Sequence, residues 1–224
     1  MATLAVLCED VRGEIVIPVA KQPTPATFVD LVHKPGMLFL SRVKSPSTDQ
    51  WNKHAYWRKI LPELHLAYNG ICAYSCHWIA YDTGADTVEH FIPKSVAPAK
   101  AYNWSNYRLV CAVLNSRKRE FRDVIDPFQV KDGWFVIRFP SLLVVPGKEL
   151  PERLVSRVQK TINRLGLNDE DTCMKSREKY IKDYCLGKVT FGHLEDEAPF
   201  IARELSRQGL TNTIKTMMQY RLSD

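Results

Sequence analysis

The strongest constraint on how this chain can fold lies between residues 70 and 120. Two short β-prone runs, GICAYSCHWIAYD and TVEHFIPKS, are separated there by the turn signal TGAD. A tryptophan- and asparagine-rich connection follows. NYRLVCAVLNSRKREF then reads as an extended run leading into a helix that ends in a basic cluster. The expected order is strand, turn, strand, loop, helix. A unit of about 50 residues cannot bury a sufficient core alone, so the rest of the chain must cover its apolar back.

The flanks have different characters. Up to about Pro46, short β-prone runs (GEIVIPVA, MLFLSRV) alternate with prolines at 18, 23, 25, 35 and 46, which suits short strands or extended segments. From Asp49 to Tyr68 the apolar residues Trp51, Ala55, Trp57, Ile60, Leu61, Leu64 and Tyr68 fall at largely helical spacing, with Pro62 as an expected kink. Downstream, the turn Lys131-Asp132-Gly133 between β-prone runs predicts a hairpin over 128–139. Four helical patterns follow: 149–167, 168–186, 193–210 and 211–222. Asn168 or Asp169 and Thr211 are candidate N-caps, and Gly166, Gly187 and Gly209 candidate stops.

An apolar fraction of 45% and a charged fraction of 25% exclude wholesale disorder. The net charge of +6 favours a polyanionic partner without requiring one. Six cysteines, an acidic opening (MATLAVLCEDVRGE) and the lack of an apolar run of about 20 residues read as a cytoplasmic chain with reduced thiols and no membrane span.

The residues that carry chemistry are Glu89-His90-Phe91-Ile92-Pro93-Lys94-Ser95, then Trp104-Ser105-Asn106, then Leu114-Asn115-Ser116-Arg117-Lys118. Hydrolysis of a phosphodiester needs a positioned base for water and a cation for the charge on phosphate and leaving oxygen. His90 can be the base. Neighbouring strand residues point to opposite faces, so Glu89 and His90 can share one region only if the strand ends there, which Pro93 encourages. A carboxylate from Glu89 and an amide oxygen from Asn115 suit Mg²⁺ or Mn²⁺ better than zinc. The other histidines, at 33, 54, 65 and 193, read as structural hydrogen-bonders, and the tryptophans as core anchors.

E-H-F-x-P-K-S, W-x-N and L-N-S-x-K together resemble the His-Asn-His (HNH) endonucleases, whose core is a β-hairpin and a helix gripping one divalent cation. The resemblance implies that Glu89 and Asn115 bind the metal, that His90 is the general base, and that Asn106 shapes the connecting loop and holds the histidine. It also implies an α+β fold, with a ββα-metal HNH module at 70–122. Segments 1–69 (short strands and a helix) and 123–224 (a hairpin plus a largely helical half) would flank it. The IDPF segment and the TINRLGLN and SREKYI patterns are similar to standalone bacterial HNH nucleases of anti-phage systems of the Septu or retron-associated kind. That implies DNA as substrate and a protein partner such as an ATPase; residues 150–224, helical in pattern and without recognisable chemistry, exceed what the catalytic unit needs and are the expected docking element.

Many HNH proteins also carry a structural zinc on two C-x-x-C pairs. Here the first pair, Cys72 and Cys76, has three residues between, and the second would join Cys111 to Leu114. Only His77 could complete a set of Cys72, Cys76, His77 and Cys111, so buried thiols are the ordinary alternative and a zinc is not expected. Lys94, Arg117 and Lys118 are the expected phosphate contacts. Two rivals share the pattern: a non-catalytic DNA-binding or assembly subunit, and a ribonuclease acting on structured RNA.

Overall fold

The computed structural model describes residues 19–83 and 85–220. Helices and two small antiparallel sheets are combined in a mixed, mainly helical α+β arrangement. One apolar core runs from Val19 to Ile214. No helix among the described residues is long and apolar enough to cross a membrane.

The N-terminal part is helical rather than stranded. A π-helical turn (Val29–His33) leads into α1 (Lys34–Arg42), so MLFLSRV forms helix. Val32, Gly36, Phe39 and Leu40 are buried at helical spacing, and that burial outweighs the local β-propensity. Gly36 is required here, because a Cβ would lie 2.1 Å from the Tyr102 ring. GEIVIPVA falls outside the described residues except for its last two positions.

Residues 48–67 are helical in three pieces: α2 (Thr48–Lys53), a 3₁₀ segment (Tyr56–Ile60) and α3 (Leu61–Ala67). Ser47 and Gln50 form a capping box at the start of α2. Pro62 starts α3 instead of kinking a longer helix, because its missing N–H costs nothing in a first turn.

β1 (Asp86–His90) pairs antiparallel with β2 (Tyr107–Cys111), and α4 (Ala112–Lys118) follows directly. The register sets Glu89 opposite Arg108 and His90 opposite Tyr107. The β-prone run 70–82 is therefore not a strand of this hairpin. It folds into turns closed by a single bridge between Ile71 and Trp78, and its backbone donors go to His77 O, Leu109 O, Glu197 O and Gly70 O. Gly70 sits at φ +69°, where a Cβ would lie 2.5 Å from His65.

The second hairpin is shifted along the chain, with β3 (Phe135–Arg138) paired to β4 (Leu143–Pro146). The expected first arm, 128–130, is diverted because Asp126 caps a 3₁₀ turn at Pro127–Gln129. Then come α5 (Glu152–Leu165), a π-helical turn (Glu170–Met174) and α6 (Lys175–Cys185). The 193–210 pattern divides into α7 (Phe191–Glu197) and α8 (Pro199–Arg207), because Pro199 forces Ala198 out of helical backbone.

Of the expected N-caps, Asp169 stands at the N-cap of the Glu170–Met174 turn, Asn168 instead braces β4, accepting from Val144 N at 2.8 Å, and Thr211 receives the Tyr184 hydroxyl on its carbonyl at 3.0 Å. Thr190 caps α7. Glu204 on α8 is buried and accepts from Ile137 N at 2.9 Å, which satisfies a sheet-edge donor. α9 (Ile214–Met218) is shorter than its pattern and drives Ile214 fully into the core, leaving Met217 partly exposed; Leu222 lies outside the described residues.

Candidate active site

β1 ends at His90, and the chain then makes the long connection 91–106 before returning as β2. Asn106 organises that connection. Its Oδ1 accepts from Ile92 N at 2.8 Å, and its Nδ2 donates to Ile92 O (3.0 Å) and Lys100 O (3.1 Å). The N-terminal part clasps the same loop from outside: His33 Nδ1 donates to Tyr102 O, Tyr102 Oη to His54 O, and Trp104 Nε1 to Gln22 O.

The pinned loop presents the carbonyl of Ala101 to His90. His90 Nε2 lies 3.0 Å from that oxygen, which also accepts from Tyr107 Oη at 2.6 Å. A carbonyl can only accept, so Nε2 carries the proton and Nδ1 keeps its lone pair. Trp57 and Tyr107 flank the imidazole edge-to-face at 4.8 and 5.2 Å. Burial, then the positive charge of Lys94, lowers the His90 pKa to about 3, against the opposing effect of the Ala101 bond. The ring is neutral at physiological pH, and a phosphate placed beside it would raise its basicity by stabilising the imidazolium.

Glu89 is buried next to it, 3% exposed. Burial raises its pKa, while Lys118 pulls it down. Lys118 Nζ lies 2.7 Å from Glu89 Oε1 and also donates to Phe91 O (2.8 Å) and His90 O (3.4 Å). Oε1 is thus held by the buried ammonium. On α4, Asn115 Nδ2 donates to Thr87 Oγ1 at 2.9 Å, and that hydroxyl donates to Val110 O, which fixes the amide over β1.

Glu89, His90, Asn115 and Lys94 line one cleft of roughly 530 Å³, together with Thr87, Asp86 and Glu120 from the same unit and Trp57, Arg58 and Leu61 from the N-terminal part. Lys94 Nζ sits 5.4 Å from the Trp57 ring. Asn106 is one layer behind, as a loop organiser.

Two expected phosphate contacts are internal instead. Lys118 is fully buried on Glu89. Arg117 bonds Leu165 O and Gly166 O at 3.1 Å and pairs with Asp169 at 3.3 Å, tying α4 to the end of α5. A lysine or arginine on a basic helix end reads the same in sequence whether it meets solvent or a buried partner. Arg58 was not legible as a site residue for a related reason: it is 31 positions before Glu89 and reaches the cleft only through tertiary packing.

Of the four candidate zinc ligands, Cys72 and Cys111 are in contact, with Cys111 N donating to Cys72 Sγ at 3.4 Å, but the four do not form a metal-holding set. Cys72, His77 and Cys111 line one pocket with Cys173, whereas Cys76 lines a different cavity with Ala73, Phe135 and Phe200. His77 Nδ1 is engaged by Ser176 Oγ at 2.9 Å. Among the described residues no group of three or more His, Cys, Asp or Glu is arranged to hold a metal, and Cys72, Cys76, Cys111, Cys173 and Cys185 are free thiols.

Comparison of the chain with protein-family models, with curated proteins and with solved structures finds no match.

Proposed function

We propose that β1, β2 and α4 form a ββα-metal module of the HNH kind and that the chain is a metal-dependent endonuclease hydrolysing DNA phosphodiesters. The observation that carries this reading is the convergence of Glu89, His90 and Asn115 on one cleft, with Nδ1 as the unprotonated ring nitrogen of His90.

In this reading His90 Nδ1 takes a proton from the attacking water, and the Ala101 carbonyl holds the ring through Nε2 while positive charge develops on it. Lys94 binds phosphate oxygens at the cleft. The Glu89 carboxylate and the Asn115 amide oxygen, whose nitrogen is tied to Thr87, line the cleft and are hard donors that suit Mg²⁺ or Mn²⁺. That cation would neutralise charge on the phosphate and the leaving 3′-oxygen. A role as the effector of an anti-phage system with an ATPase partner rests on the sequence resemblance alone, and a cytoplasmic location on the cysteine usage and the acidic opening of the sequence.

The test is cleavage of supercoiled plasmid by the whole chain in Mg²⁺ or Mn²⁺, with chelator, and by His90→Ala and Asn115→Ala. Loss of a general base should lower the rate by about 10²–10⁴. Chelator-insensitive cleavage, or wild-type rates from folded His90→Ala, would overturn the assignment. Cleavage of structured RNA but not DNA would favour the ribonuclease reading.

A further inference from the structure

The cleft has two walls, and only one belongs to the hairpin and α4. The other is Asn52, Trp57, Arg58 and Leu61, contributed by the helical segments of the N-terminal part. We infer that Arg58 is a phosphate-binding residue of this cleft, holding the nucleic-acid backbone from the N-terminal wall while Arg119 holds it from the wall formed by α4. The inference rests on the reading of the cleft as a phosphodiester site and adds a substrate contact from outside the ββα unit.

Three observations support it. First, Arg58 is aimed by its neighbour. Trp57 is buried, stacks edge-on to His90 and lies under Lys94, so the backbone at 58 is fixed relative to the base. Second, Arg58 and Arg119 are both exposed, and no carboxylate among the described residues pairs with either. Third, three cations, Arg58, Lys94 and Arg119, share the cleft lining, and of its three carboxylates, Asp86, Glu89 and Glu120, Glu89 is also paired with the buried Lys118. Burial lowers the Lys94 pKa, Glu120 and Glu89 oppose that, and Arg58 adds a smaller lowering, so the two cations are near enough to repel. Like charges gathered at a cleft mouth are relieved by a polyanion, and a guanidinium fork matches phosphate geometry.

The experiment measures binding of a fluorescein-labelled DNA duplex to full-length His90→Ala protein by anisotropy, over a range of salt concentrations. Arg58→Gln in that background should weaken binding about 10-fold and lower the slope of log affinity against log salt by about one. Arg58→Lys should keep the slope. Arg153→Gln, in a separate groove lined by α5 that shares no residue with the cleft, should change neither. In the active chain, Arg58→Gln should raise KM and leave kcat within about twofold, because a contact equal in ground and transition states changes only binding. An unchanged slope and affinity in a folded Arg58→Gln protein overturns the inference while leaving the nuclease reading intact. Failure of the His90→Ala parent to bind DNA at any salt overturns both.

Discussion

Lys118 and Glu89 form an ion pair at 2.7 Å in which the lysine is fully buried and the glutamate side chain is 4% exposed. The pair joins the end of α4 to the end of β1. The same ammonium binds the carbonyls of residues 90 and 91, so it also fixes the point where the chain leaves the strand. Lys118→Met should therefore lower stability by about 3–5 kcal/mol, since it leaves a buried carboxylate without its counter-ion. Lys118→Met combined with Glu89→Gln should recover part of that loss. Urea unfolding of the four proteins of the cycle measures the coupling, and strict additivity would show that the pair does not interact.

Stability should depend on pH through the buried histidines. Burial lowers the pKa of His77 to about 3, with Arg177 adding to the effect, and His90 is lowered to about 3 by burial and Lys94. An unfolded histidine takes up a proton near pH 6.5, whereas the folded ones stay neutral. The stabilising contribution is therefore fully present above about pH 6.5 and is lost as pH falls from there towards 3. At pH 5.5 each histidine should cost about 1.4 kcal/mol relative to pH 7.5. Denaturation midpoints at the two pH values check this, and His77→Gln should reduce the drop by roughly half. A drop of the same size in His77→Gln would rule His77 out as a source.

Asn106 closes the 91–106 loop with three hydrogen bonds, and the loop carries the carbonyl that orients His90. Asn106→Ala should cost about 2–4 kcal/mol by leaving loop backbone groups unpaired. Cleavage should fall more than tenfold under conditions where the variant is still folded, on the order of one lost orienting contact. Asn106→Asp keeps the acceptor for Ile92 N and loses both donations, so it should lie between. Thermal unfolding beside plasmid cleavage separates the two effects, and unaltered cleavage by Asn106→Ala would mean that the loop does not position the base.

The last helix is anchored by one residue. Ile214 is fully buried, whereas Met217 is 38% exposed on the same short helix. Ile214→Ala should destabilise the chain by about 2–5 kcal/mol, and Met217→Ala should stay within about 0.5 kcal/mol. Calorimetry on the two variants tests whether α9 belongs to the core. Of the two methionines, Met217 is exposed and Met218 packs partly against the core.

The stop of β1 before Pro93 and the helices at 152–165 and 175–185 were legible in the sequence; Asn106 entered through the family resemblance, and its side chain bonds the loop at Ile92 and Lys100 while Ala101 O, not Asn106, holds His90. The strand stop and the helices depend on local signals: proline geometry and apolar period. His33, His54 and His65 likewise bond carbonyls, at Tyr102, Gln50 and Ile79, as expected for structural histidines. Tertiary structure alone decided which run pairs with β1, because β-prone segments 70–82 and 107–111 both had the propensity and only the second had backbone groups free to form the ladder. It also decided the fate of the cations. Charge written in a sequence does not say whether its partner is water, a phosphate or a buried carboxylate, so Lys118 and Arg117 turned inward while Arg58 reached the cleft. That distribution is set by packing between residues far apart in the chain, where desolvation and pairing compete and local pattern carries no information.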